Sequence, residues 1–77
     1  MFNVIIAKMD GVVFYGESFS ATLPGTEGEL TVLKNHVPLI TVLKKGKITV
    51  RQENKEEKFQ IDSGILEVSK AGITVLI

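Results

Sequence analysis

Short apolar runs, each closed by a glycine or a polar pair, follow one another along the whole chain. The punctuation falls at Asp10-Gly11, Tyr15-Gly16-Glu17, Pro24-Gly25, Lys45-Gly46, Glu53-Asn54-Lys55, Ser63-Gly64 and Ala71-Gly72. Between these points lie segments of roughly 4 to 8 residues rich in Val, Ile, Thr and Phe, the composition of strands. Alternation is plain in several. In "KITVRQE", Ile48 and Val50 fall on one face and Thr49 and Arg51 on the other, because successive strand side chains point to opposite sides. Phe59 and Ile61 repeat the pattern in "KFQID", as do Ile73, Val75 and Ile77 in "GITVLI". The charged "NKEEK" reads as a solvated hairpin tip, and Pro24-Gly25 as the middle of a tight turn. The opening run "FNVIIA" is apolar on both faces, which predicts a strand sandwiched between layers. No window carries a sustained helical stripe with start and stop signals. Eight or more short, mostly antiparallel strands predict an all-β domain over residues 1–77, a two-sheeted sandwich or flattened barrel.

Size changes what the pattern must achieve. At 8.4 kDa, the folded surface should be about 4,600 Å² against roughly 12,000 Å² unfolded, a thin margin for one core. There is no cysteine to reinforce it, although 44% of the residues are hydrophobic. Such a chain packs very efficiently or shares surface with a partner, and sharing is the expectation. Nine basic residues balance nine acidic ones. That argues against a nucleic-acid binder, which needs a basic surface to release counterions from phosphates. No apolar run reaches bilayer length and no leader pattern precedes the first strand, so the expectation is a soluble intracellular domain.

The stretch "LPGTEGELTVLKNHVPLIT" holds both prolines and the single histidine, yet completes no catalytic set. "PGTEG" lacks the Gly-Lys-Ser/Thr of a phosphate loop and runs into a strand. His36 has no second histidine and no cysteine with which to hold zinc, and no nucleophile elbow surrounds any serine. Its expected role is an imidazole bonded to backbone before Pro38. Glu27 and Glu29 stand two apart with no cleft to separate their pKa values. They read as solvated turn acids or as a charged contact patch. Gly28 is expected to adopt positive φ or to permit a close backbone approach. The lysines of "LKKGKI" read as a solubilising hairpin. Lys70 beside a turn in "VSKAG" admits a remote alternative, a biotinyl or lipoyl carrier lysine, although those lie nearer mid-chain. Catalytic, metal and cofactor residues are expected to be none.

Four ordered pieces carry a resemblance: Pro-Gly-x-Glu-Gly-Glu (24–29), His-x-Pro-Leu-x-Thr (36–41), Leu-x-x-Gly (43–46) and Gly-x-x-Glu-Val (64–68). With "DGVVFYGE" near the start, they make the chain resemble the N-terminal domain of the epsilon subunit of rotary proton-driven ATP synthases, called delta in mitochondria. The resemblance implies a β-sandwich with no active site of its own. It implies a central-stalk (rotor) subunit between gamma and the c ring, helping to couple ion flow to ATP synthesis. It further implies a peripheral position on the cytoplasmic face of a bacterial inner membrane. By the same resemblance Glu27, Gly28 and Glu29 would contact the c ring, with His36 at the edge of that end. Lys8, Thr41 and Ser63 are the choices for the gamma side. The two C-terminal helices usual in the family have no counterpart among these residues. A free-standing β-sandwich adaptor is the competing expectation.

Overall fold

The computed structural model describes residues 1–77 and contains nine strands without a helix. They are β1 (Phe2–Lys8), β2 (Gly11–Ser18), β3 (Ser20–Gly25), β4 (Gly28–Leu33), β5 (Leu39–Leu43), β6 (Gly46–Arg51), β7 (Glu56–Ile61), β8 (Gly64–Ser69) and β9 (Gly72–Leu76). One sheet runs β2-β1-β9-β8-β5 and the other β4-β3-β6-β7. All pairings are antiparallel except β1 with β9. The sheets join where β3 leaves β6 and meets β5 at a single pair, Gly25 with Leu43. The result is a curled sandwich, as the strand pattern predicts.

Alternation places the core. Val4, Ile6, Ala21, Leu23, Ile48, Val50, Leu66, Val68, Ile73 and Val75 take every second position of their strands and are buried. Each fully buried Val, Ile or Leu side chain contributes about 1.5–3 kcal/mol relative to exposure. Phe14 and Phe59 close one side of the core, their ring centroids 5.4 Å apart and tilted. The accessible surface is 4914 Å², close to the size-scaled expectation.

Five local expectations give way. β1 is not sandwiched between layers: Phe2, Val4 and Ile6 face the core, while Ile5 and Ala7 lie half-buried on the outer face. Gly16 marks no turn but sits within β2, where a Cβ would stand 3.1 Å from the Phe14 ring. Pro24 and Gly25 end β3, so the two-residue turn is Thr26-Glu27. Of "NKEEK", Glu56 onward already belongs to β7, and the tip is Gln52–Lys55. At the three expected turns strand pairing outweighs turn propensity, because a paired ladder satisfies backbone groups that an earlier turn would leave open. Ile77 lies beyond β9 and is exposed, unlike Ile73 and Val75.

Candidate functional site

The Thr26-Glu27 turn is built to be rigid. Gly25 opposes Gly28, and Gly28 has φ +132°, a conformation that side chains rarely adopt. At Gly25 a Cβ would stand 2.8 Å from Gly28 O, so the close approach requires glycine there too. Pro24 donates no hydrogen bond, yet its carbonyl accepts one from Lys44 N–H at 2.8 Å. Thr26 N–H donates to Val42 O at 3.0 Å. These two bonds pin the hairpin tip to the β5 edge. Glu27 and Glu29 are exposed beside it, and with Gly28, Leu39 and Thr41 they line an open depression of about 290 Å³.

His36 lies elsewhere. β4 separates it from the turn, a span of roughly 17 Å at about 3.3 Å per residue. Its Nδ1–H donates to Val37 O at 2.8 Å, since a carbonyl can only accept, and its backbone N–H donates to Leu33 O at 3.1 Å. The expected backbone-bonded imidazole is therefore present, and the length of β4 lies between it and the glutamate turn. His36 instead lines a groove with Phe2, Lys34 and Lys70 that shares no residue with the glutamate depression.

The three remaining site residues are also dispersed. Lys8 ends β1 and Ser63 stands in the turn before β8, both exposed. Both adjoin the end of β9: Ile77 N–H bonds Ala7 O at 2.9 Å, and a Cβ at Gly64 would meet Leu76 O at 2.8 Å. Thr41 faces inward, registered with Leu66, and joins the glutamate depression. Gly28 is thus grouped with Glu27, Glu29 and Thr41, Lys8 with Ser63, and His36 with neither.

A surface that sequence reasoning missed spans the outer face of the first sheet. Register aligns Val42, Ile65, Leu76, Ala7 and Val12 in one row across five strands. The next row is Ile40, Glu67, Thr74, Ile5 and Tyr15, and the third, Ser69, Gly72, Asn3 and Glu17, lacks any large apolar side chain. The face grades from polar at one end to apolar at the other. Val42, Ile65, Leu76, Ile40, Val12 and Tyr15 are between 48% and 73% exposed. Contiguous patches of this kind mark interaction sites, whereas single exposed apolar residues are ordinary. The sequence signal was available: β1, β5, β8 and β9 carry apolar residues at both parities.

Comparison with known proteins bears on the whole chain. The family described as ATP synthase, Delta/Epsilon chain, beta-sandwich domain matches residues 1–77. An ATP synthase epsilon chain of Sulfurimonas denitrificans is 44% identical over 73 residues, covering 94% of this chain and 56% of that protein. One from Helicobacter pylori (strain Shi470) is 37% identical over 76 residues, covering 99% and 62%. The chain thus spans little more than half the length of these relatives. Among solved structures, a chain of the Euglena gracilis mitochondrial ATP synthase (OSCP/F1/c-ring) superposes with TM-score 0.89 at 23% identity. That match covers 97% of this chain and 49% of the other. A chain of the Tetrahymena thermophila mitochondrial ATP synthase central stalk/c-ring does so with TM-score 0.79 at 18% identity, covering 97% and 61%. At these identities the superpositions speak for the fold. The family match, over every strand and turn described above, is the decisive finding: this chain belongs to the ATP synthase delta/epsilon beta-sandwich family.

Proposed function

We propose that the chain is a non-catalytic central-stalk subunit of a proton-driven rotary ATP synthase, joining gamma to the c ring and helping to couple ion flow to ATP synthesis. The observation that carries this reading is the pairing of two unlike surfaces on one stiff body: the apolar row through Ile65 and Leu76, and the pinned acidic turn of Glu27 and Glu29. Bacterial relatives named ATP synthase epsilon chain support it, as do similar folds in ATP synthase assemblies that include a c-ring. No helix of the chain is long and apolar enough to cross a membrane. Attachment at the cytoplasmic face of a bacterial inner membrane would accordingly run through the complex.

In this reading no bond is made or broken by the domain. Its work is to carry torque between two contacts, and the paired ladders and close-packed core supply the stiffness. The apolar row meets gamma, with Lys8 and Ser63 at its border. Glu27, Gly28 and Glu29 meet the polar loops of the ring, with Thr41 beside them and His36, at the other end of β4, at the edge of the contact. A patch of about 800 Å² per partner would occupy roughly a sixth of the surface. The apolar contact supplies most of the affinity. The exposed glutamates set register and encounter, since such ion pairs are worth only about 0–1 kcal/mol.

The test is a pull-down of the chain by purified gamma subunit from a bacterial relative, sized by analytical ultracentrifugation. A one-to-one complex is expected. Absence of any complex from folded chain would overturn the gamma-linking role.

A further inference from the structure

Between the β4–β5 loop and the β8–β9 turn lies a groove of about 490 Å³. Its floor includes Phe2, Val32, Val68 and Ile73, all buried members of the core. Lys34 stands on one bank and Lys70 on the other, and none of the fifteen lining residues is Asp or Glu. In a chain of zero net charge, that local imbalance is a specific feature of the groove. Both banks are braced. Asn35 turns the first at φ +70°, and His36 bonds its own loop. On the second, Ser69 Oγ–H donates to Gly72 O at 3.3 Å. A preformed apolar trough with a cationic rim loses little freedom when a ligand settles in it.

We propose that this groove binds an amphipathic carboxylate, a single short fatty-acid chain. The acyl tail lies against the exposed side chains of Met1, Leu33 and Val37, above the core residues that close the floor, and the carboxylate sits between Lys34 and Lys70. The sign of the head group follows from the two lysines and the missing acids. The single chain follows from volume, since about 300–1,000 Å³ is the range of small-ligand pockets and this groove lies in its lower half. The site is separate from the glutamate turn and the apolar row, so the proposal does not depend on the stalk reading.

Titration of the 77-residue chain with hexanoate, octanoate and decanoate below micellar concentration, followed by amide NMR, tests it. Each added methylene should tighten binding roughly two- to fourfold, the upper value corresponding to about 0.8 kcal/mol per fully buried CH₂. Shifts should concentrate at residues 34–38 and 68–72. Decanol and decylammonium should bind at least about tenfold more weakly, because neither offers an anion to the lysines. The Lys34→Glu/Lys70→Glu double variant, whose exposed substitutions leave the core untouched, should lose decanoate binding while keeping its circular dichroism spectrum. Affinity independent of chain length, equal binding of decanol, or unchanged binding by the folded double variant would each overturn the proposal. So would binding to phosphatidylglycerol vesicles without binding to decanoate, which would make the groove part of a lipid-facing surface.

Discussion

Gly72 lies against Asn3 across the parallel β1–β9 ladder so closely that a Cβ would overlap Asn3 O and stand 2.8 Å from Asn3 N. Its φ of +147° adds a second reason for glycine. Gly72→Ala must therefore strain the backbone and push β9 off β1, at a combined cost of about 3 kcal/mol. That is a large share of the roughly 4–12 kcal/mol expected for a domain of this size. Gly28→Ala makes the comparison, since φ is also positive there but nothing lies within 4 Å of the added carbon. Urea denaturation should show the Gly72 variant losing clearly more than the Gly28 variant. Equal losses would mean that the close approach to Asn3 contributes nothing.

Ile65 and Leu66 are neighbours on opposite faces of β8, one 48% exposed and the other 0%. Leu66→Ala should cost about 2–5 kcal/mol through lost burial and a cavity. Ile65→Thr keeps the β-branched shape and should stay within about 0.5 kcal/mol of the parent. It should nonetheless weaken capture by gamma. A stable Ile65→Thr variant with undiminished gamma binding would remove the apolar row from that interface.

Arg51 Nη1 donates to Thr22 Oγ1 at 2.8 Å, and its Nε stands 3.4 Å from Glu56 Oε2. Glu56 also stands 3.8 Å from Lys58 Nζ, and both ion pairs are substantially exposed, so Glu56→Ala should change stability by less than about 1 kcal/mol. Arg51→Ala removes the β6–β3 hydrogen bond as well and should cost about 1–2 kcal/mol, measured by thermal unfolding. If the two substitutions cost the same, the bond from Arg51 to Thr22 contributes nothing beyond the ion pairs of Glu56.

Glu29→Ala touches no core contact, and Glu29 is exposed on the outer strand of its hairpin. The variant should fold normally and weaken docking to a purified c ring by less than about tenfold. Unfolding at ambient temperature would contradict this account of the turn.

Much of this was legible beforehand. Nine strands stand where the runs of Val, Ile, Thr and Phe fall, and Ile48 and Val50 face the core as their alternation requires. His36 bonds backbone next to Pro38, as a lone loop histidine without ligating partners should. The misreadings fall at glycines, at strands apolar at both parities, and at two strand ends, Glu56 and Ile77. Gly25 is needed for a close backbone approach and Gly16 sits tightly under the Phe14 ring, both inside strands, which local sequence cannot distinguish from a turn.

The linear order of residues determined the family, the all-β class and the buried face of the cleanly alternating strands, because period-two alternation and four spaced motifs are local properties of the chain. Only the tertiary structure decided which residues share a surface. The run of β4 parts His36 from Glu27, and inter-strand register lines up Val42, Ile65, Leu76 and Val12 from four distant segments. The folding of one loop against one turn sets Lys34 opposite Lys70. These groupings depend on pairing between strands far apart in sequence, which is set by the packing of the whole core.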